Sequence, residues 1–258
     1  MVLIGTPKAI SFEKKSLQIE TATIYYEVGG AGKPLVLIHG LSGSTRWWSQ
    51  NAAFFARHFQ VYMVDLLGFG QGRGQRFALQ DSAGLLLIWM DKLAIEKASL
   101  IGHSMGGYIA IDLAANDPER VDRIVVVDGL VYPLGKAHLQ NLWRLLQALR
   151  YASSNFLPVL FMDAFRAGLL TLFSAIREVF DADISTSLDG IKAPALIVWG
   201  EYDMVLPVEI GWMLHEQLSG SEFVVIEGAG HNPMWDRPEQ FNKIVFNFLG
   251  QSQGDGFH

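Results

Sequence analysis

The chain has 258 residues, of which 50% are hydrophobic and 18% are charged, so it can bury a sizeable core and is not expected to be disordered. A formal net charge of −6 argues against a nucleic-acid partner, because phosphate binding needs a basic surface. The sequence contains no cysteine, which excludes disulfides, thiolate metal sites and a cysteine nucleophile.

Two apolar segments bear on where the protein is found. The run at Met1–Ile4 is far shorter than the apolar region of a signal peptide. The longest apolar stretch, Phe156–Ile176, contains Asp163, Arg166 and Gly168, and is therefore a poor transmembrane candidate. We expect a soluble, cytoplasmic protein without stable membrane insertion. The sequence leaves the oligomeric state open.

Short apolar runs recur along the chain, most of them followed by a Gly-rich turn and a helical stretch. The predicted strands are Ser16–Glu20, Thr23–Val28, Leu35–Ile38, Val61–Val64, Ser99–Ile101, Ile124–Val127, Ala195–Trp199 and Phe223–Ile226. Continuously apolar strands are buried on both faces, and their alternation with helices predicts an α/β fold with a mostly parallel sheet flanked by helices. Ligands of such sheets lie beyond the carboxyl ends of the strands. Polar residues follow the strands there: His39, Asp65, Ser104, Asp128, Asp203 and His231.

One segment, between Gly129 and Ile191, shows no strand pattern. Lys136–Arg150 has helical spacing, Pro158 interrupts any helix, and Ala164–Val179 is again predicted to be helical. The apolar face of the first stretch carries Leu139, Leu142, Trp143, Leu146 and Leu149. We predict that residues 130–189 form a helical cap over the site and that residues 1–129 and 190–258 form the core. Elongated crossover helices are the alternative.

A nucleophile is predicted at Ser104. The stretch Gly102-His103-Ser104-Met105-Gly106 matches G-x-S-x-G, follows an apolar strand and opens a predicted helix, Met105–Asn116. That context is the one a nucleophile elbow requires: a strained turn that holds the Ser hydroxyl at the strand tip, with glycines that allow close strand–helix approach.

A Ser hydroxyl needs a base, and the base needs an acid that holds its tautomer. His231 follows the last predicted strand through small residues, and Asp203 follows the strand before it. The order Ser104, Asp203, His231 is the chain order of triads in this kind of fold. Asp128 is the rival acid, because it ends the strand after the elbow helix. We expect His39 and His103 to shape loops.

Attack on a carbonyl also requires N–H donors for the oxyanion. We expect one donor to be the backbone N–H of Met105, directly after the nucleophile. The other is expected from the loop after Leu35–Ile38, where His39-Gly40-Leu41 offers the N–H of Leu41.

These motifs resemble those of the α/β-hydrolase superfamily, in the branch of small serine esterases, C–C bond hydrolases and cofactor-free haloperoxidases. The matching stretches also include Asp65–Gly70, Trp199–Asp203 and Gly228–Pro233, so the resemblance covers nearly the whole chain. It implies the fold and the catalytic triad. The sequence shows no dedicated metal cluster and no dinucleotide fingerprint, so no cofactor or metal is expected. Related haloalkane dehalogenases and epoxide hydrolases carry Asp at the nucleophile position, which Ser104 disfavours here.

The leading hypothesis is a carboxylic-ester hydrolase that acts through an acyl-enzyme on a small to medium, largely apolar substrate. C–C bond cleavage, perhydrolysis and acyl transfer on the same triad remain open, as does a ligand receptor that retains the triad. The apolar side chains of the predicted cap favour an apolar pocket.

Overall fold

The computed structural model describes residues 10–133, 143–144 and 146–250. Their strands form one eight-stranded sheet. The strands are β1 Glu13–Ile19, β2 Ala22–Gly30, β3 Lys33–Ile38, β4 Phe59–Asp65, β5 Ala98–His103, β6 Val121–Val127, β7 Ala195–Gly200 and β8 Glu222–Ile226. Each predicted strand is present, and most are a few residues longer than the apolar run that predicted them.

The sheet is mostly parallel, and its strand order is β1-β2-β4-β3-β5-β6-β7-β8. The pairs β1–β2 and β2–β4 are antiparallel. The strands β1 and β2 form a hairpin at one edge of the sheet. The pairs from β4–β3 through to β7–β8 are parallel. The predicted α/β class with a mostly parallel sheet is confirmed.

Helices cover both faces of this sheet. They are α1 Ala52–Phe55, α2 Leu79–Lys92, α3 Met105–Asn116, α4 Leu157–Ala167, α5 Leu169–Asp181, α6 Val208–Gln217, α7 Pro233–Asp236 and α8 Pro238–Gly250. Short 3-10 helices occupy Thr45–Trp48, Gly70–Gly72, Pro118–Arg120 and Ser185–Gly190. The predicted helix after Ser104 has the predicted bounds.

Consecutive residues of the central strands are buried, and their side chains point alternately to opposite sides of the sheet. These strands are therefore buried on both faces. On β3, Val36 and Ile38 join the apolar cluster on one face, and Leu35 and Leu37 join the cluster on the other. A strand without a polar face is held between two helical layers, and its carboxyl end is fixed in position. Two of the three predicted catalytic residues follow such strands, β5 and β7, and the third follows the edge strand β8.

The segment between β6 and β7 differs in part from its prediction. Ala164–Val179 is wrong as one continuous helix, because α4 ends at Ala167 and α5 starts at Leu169 after Gly168, whose φ is 80°. Pro158 does not break a helix but lies in the first turn of α4, where a missing N–H costs no hydrogen bond. Of the predicted helix Lys136–Arg150, residues 136–142 and 145 lie outside the described residues.

Among the described residues, no single helix is long and apolar enough to cross a membrane. Taken together, α4 and α5 have the length and apolar composition of a membrane-spanning segment, but the pair is bent by 101° at the break between them.

Candidate active site

Ser104 lies in a sharp turn between β5 and α3. Its φ of 53° and ψ of −116° are unfavourable for a residue with a side chain, which is the strain expected of a nucleophile elbow. Glycine at 102 and 106 makes the turn possible. A Cβ on Gly102 would collide with the carbonyl of Gly106, and one on Gly106 with the carbonyl of Ile38. The G-x-S-x-G spacing therefore reflects the close approach of α3 to β5 and β3.

The structure brings Ser104, His231 and Asp203 into one hydrogen-bonded chain. His231 Nε2 lies 3.1 Å from Ser104 Oγ, and His231 Nδ1 lies 2.7 Å from Asp203 Oδ2. Because Nδ1–H donates to the carboxylate, Nε2 is free to accept the Ser proton. The arrangement is able to generate a nucleophilic alkoxide at Ser104.

Asp203 is held by the backbone of its own loop. Its Oδ1 accepts hydrogen bonds from the N–H groups of Val205, at 2.8 Å, and Leu206, at 2.9 Å. The second oxygen is thereby directed at His231, and the carboxyl group is buried. A carboxylate fixed by two amides is a rigid orienting group for an imidazole.

Asp128, the rival acid, lies nearby but is bound differently. Its Oδ1 accepts from the N–H of Gly200 at 2.8 Å, which ties the end of β6 to the end of β7. Burial raises the pKa of Asp128 well above its ordinary value, and the negative charge of Asp203 raises it further. Its other oxygen, Oδ2, is buried and has no hydrogen-bond partner among the described residues. We therefore interpret Asp128 as a neutral acid behind the Asp203 carboxylate.

His103 has a more specific role than shaping a loop. Its Nε2 donates to the backbone carbonyl of His231 across 2.6 Å, so the residue before the nucleophile positions the predicted base. Burial lowers the pKa of His103 well below its ordinary value, and the nearby His231 ring lowers it further. The motif marked position 103 but did not indicate a partner 128 residues away.

His39 and Asp65 are structural groups at neighbouring strand ends. His39 Nδ1 donates to the carbonyl of Gly40 at 2.7 Å, and its Nε2 accepts from the N–H of Leu66 at 3.1 Å. Burial lowers the pKa of His39. Asp65 accepts from two backbone amides, of Thr45 and Gln71, in the loops beside it. Both residues hold loops in place, as expected for His39.

The predicted oxyanion donors lie beside the nucleophile. Met105 is the first residue of α3, so its N–H is one of the amides that a helix leaves without an internal acceptor. Leu41 lines the same cavity as Ser104. A Cβ on Gly40 would lie 2.8 Å from His103 Nδ1 and 3.2 Å from Ser104 Cβ, so glycine lets this loop approach the nucleophile. Their role as donors remains a prediction.

A cavity of about 260 Å³ opens onto Ser104 and His231. The core contributes Leu41, Ser42, Trp47, His103, Val205, Leu206 and Asn232, and the segment between β6 and β7 contributes Leu130, Leu146, Ala148, Leu149, Ala152, Leu160, Ile176, Val179 and Phe180. Most of these side chains are apolar, and none of the described lining residues is Arg or Lys. The cavity suits an uncharged, apolar group next to the reacting carbonyl.

A partly buried ion pair attaches α4 to the core beside this cavity. Asp163, on α4, pairs with Arg46 and accepts from Ser44 Oγ at 2.8 Å. The Asp163 side chain is 1% exposed, whereas Arg46 is 40% exposed. In the sequence, Asp163 is an interruption of an apolar stretch, and no local pattern indicates its partner 117 residues away.

One cluster of the described residues has the composition of a metal site. Ligand atoms of His103, Asp128 and His231 lie within 4.8 Å of one another. However, both ring nitrogens of His231 are engaged with Asp203 and Ser104, and His103 Nε2 is engaged with the His231 carbonyl. We assign the cluster to the predicted triad and its support.

Comparison with known proteins places this geometry in context. The model of the alpha/beta hydrolase family matches residues 35–244. A 2-hydroxy-6-oxononadienedioate/2-hydroxy-6-oxononatrienedioate hydrolase of Paraburkholderia phymatum is 31% identical, over 88% of this chain and 91% of that protein. A pimeloyl-[acyl-carrier protein] methyl ester esterase of Pectobacterium carotovorum is 28% identical, over 88% and 98%. The enol-lactonase of Burkholderia xenovorans superposes with a TM-score of 0.80 at 23% identity, over 92% and 100%.

Proposed function

Because the chain belongs to the α/β-hydrolase family and is a hydrolase, we propose that it cleaves a carboxylic ester of a small to medium, largely apolar substrate through an acyl-enzyme at Ser104. The observation that carries the proposal is the hydrogen-bonded chain from Asp203 through His231 to Ser104, which opens into an apolar cavity. A volume of about 260 Å³ is just below the common range of ligand pockets, about 300–1,000 Å³.

The proposed reaction has two halves. Ser104 Oγ attacks the ester carbonyl carbon while His231 Nε2 takes its proton, and the N–H groups of Leu41 and Met105 stabilise the oxyanion. The intermediate collapses as the C–O bond to the alcohol breaks and His231 returns the proton to the leaving oxygen. Water, deprotonated by His231, then attacks the acyl carbon, the bond to Ser104 Oγ breaks as His231 returns the proton to that oxygen, and the acid is released. Asp203 holds the imidazole throughout.

C–C bond hydrolysis is the second candidate, and it rests on the relative that is 31% identical. The substrate named for that relative is a dioate, with two carboxylates. A buried carboxylate needs a cationic or strongly donating partner, and the described cavity lining lacks Arg and Lys. The lining therefore favours the ester over a doubly charged substrate.

The test compares both chemistries on the same enzyme. We expect a nitrophenyl butyrate to be turned over many times, with a kcat/KM that exceeds that of a 2-hydroxy-6-oxo-dienedioate by at least tenfold. A fluorophosphonate should label Ser104 and abolish both activities. The Ser104→Ala variant should lose about five to six orders of magnitude in kcat and should not be labelled.

Three results would contradict the proposal. A dienedioate preferred over the ester would assign the site to C–C cleavage. A single turnover with stoichiometric release of nitrophenol would indicate a receptor that retains the triad. Product formed with added alcohols or peroxide faster than with water would indicate an acyltransferase or a perhydrolase.

A further inference from the structure

The outer surface of α4 and α5 is strongly apolar. Six large apolar side chains within 13 residues are exposed, and we call them the apolar apex: Phe161, Met162, Phe165, Leu169, Leu170 and Phe173. Leu170 is 90% exposed, Phe165 84%, Leu169 76% and Phe173 75%. Single exposed apolar residues are ordinary, but a cluster of this size indicates an interaction surface.

The proposed active site does not account for these side chains. The same two helices contribute Leu160 and Ile176 to the wall of the cavity, whereas the cavity lining includes no member of the apolar apex. Other groups anchor the two helices. On α4, Asp163 pairs with Arg46, and on α5, Glu178 accepts a hydrogen bond from the N–H of Leu79. The apex is thus an outward face without a partner among the described residues.

The charge of this face is opposite to that of the whole chain. Between Phe161 and Phe173, Arg166 is the exposed charged residue, and the acid in that range, Asp163, is buried in its ion pair. The chain as a whole has a net charge of −6. A face that combines aromatic and aliphatic side chains with a cation, and exposes no carboxylate, is complementary to an anionic lipid surface.

The bend between the helices determines how such a surface could be engaged. By length and composition α4 and α5 together match a membrane-spanning segment, but they meet at 101°. Phe165 lies just before the bend, and Leu169 and Leu170 lie just after it, so the most exposed side chains surround the corner. A bent pair of this kind can lie in the headgroup region with its corner inserted, as interfacial amphipathic helices do.

We propose that the apolar apex docks this protein on the surface of an anionic phospholipid layer, with the corner at Gly168 inserted among the lipids. This is a peripheral association in the plane of the interface. It places the wall of the cavity, through Leu160 and Ile176, next to the lipid. The proposal stands on the exposed surface alone and holds whether the cavity cleaves an ester or another bond.

The experiment measures co-sedimentation of the full chain with vesicles of phosphatidylcholine alone and of phosphatidylcholine with about one third phosphatidylglycerol. We expect binding to the mixed vesicles. The double variant Leu169→Ser/Leu170→Ser should lower the partition coefficient at least tenfold, because burial of each Leu contributes strongly to transfer from water. Arg166→Gln should lower it about fivefold on the mixed vesicles, and should leave binding to the zwitterionic vesicles unchanged.

The matched control is Ile88→Ser/Met213→Ser, which also replaces two exposed apolar side chains, on α2 and α6. It should bind like the unaltered chain. All variants should keep turnover of a water-soluble nitrophenyl ester, which shows that they are folded and separates this test from the proposed function. Absence of vesicle binding overturns the proposal, as does an equal loss in the control variant. A dimer that Leu169→Ser/Leu170→Ser dissociates, without vesicle binding, would assign the face to a second copy of the chain.

Discussion

The sheet and the segment between β6 and β7 hold their functional residues in different ways. At the sheet, β3, β5 and β6 end in fully buried residues, and the groups that follow them are fixed by backbone hydrogen bonds. In the other segment, α4 buries only Asp163 and Ala167, and α5 only Ala175 and Val179. The proposed chemistry is thus positioned by a rigid core. We assign substrate selectivity and surface contacts to α4 and α5, which a few polar contacts attach to the core.

The strongest test of the rigid core compares the two acids. Asp203→Asn should lower kcat by about 10⁴, because the amide favours the wrong tautomer of His231. Asp128→Asn should change kcat by less than about tenfold, because an amide is neutral, as a protonated carboxyl group is, and its oxygen can still accept from the N–H of Gly200. Steady-state kinetics with a nitrophenyl ester measures both.

Asp128→Ala supplies the control for this pair, since it removes the acceptor for the N–H of Gly200 and should lower activity more than Asp128→Asn does. If Asp128→Asn were the more damaging of the two Asn variants, the triad acid would lie after β6 and the assignment of Asp203 would be wrong.

The Arg46–Asp163 pair that attaches α4 should make a small but measurable contribution to stability. Arg46→Ala leaves the buried Asp163 carboxylate with Ser44 as its remaining partner. The loss should destabilise the segment between β6 and β7 by about 1–3 kcal/mol. This is less than the cost of breaking a fully buried pair, because Arg46 is partly exposed. Limited trypsin digestion at Arg166 and Arg177 should become faster, while urea denaturation of the sheet should change less.

Lys192→Ala is the matched control for Arg46→Ala. It breaks the ion pair between Lys192, which is 70% exposed, and Glu119, which is 84% exposed. Exposed ion pairs contribute little to stability. The proteolysis rate at Arg166 and Arg177 should not change. Equal effects of the two variants would show that the Asp163 pair does not anchor α4.

The same contrast explains which features the sequence could predict. The strands and the elbow are local patterns, because continuous apolar runs and G-x-S-x-G describe neighbouring residues. The pair Arg46–Asp163 joins positions 117 residues apart, and no local pattern marks it. The break at Gly168 was missed because an apolar run continues on both sides of it. The neutral state of Asp128 depends on its burial next to Asp203, which only the packed structure defines.

The buried histidines of the core should make its stability depend on pH. Burial lowers the pKa of His103 in the folded state, so below about pH 6.5 the unfolded chain binds a proton that the folded chain does not. Stability should therefore fall as pH decreases from about 6.5. His39, whose pKa is also lowered, acts in the same direction.

His103→Gln isolates one of these protons, because the Gln amide can still donate to the His231 carbonyl but does not titrate. The loss of stability between pH 6.5 and 5 should be smaller in this variant by about 1.4 kcal/mol per pH unit. Urea denaturation at several pH values measures the slope. Parallel slopes for the two proteins would mean that His103 is protonated in the folded state.

The smallest expected effect concerns the length of the acyl chain. Burying one methylene contributes about 0.8 kcal/mol, which is roughly fourfold in affinity, so kcat/KM for nitrophenyl esters should rise a few-fold per carbon from acetate until the cavity of about 260 Å³ is full. Leu160→Phe narrows the wall that α4 contributes and should move the optimum to a shorter chain. Phe161→Leu, at the exposed neighbouring position, should leave the optimum unchanged. A steady decline from acetate onward in the unaltered enzyme would show that the apolar lining does not receive the acyl group.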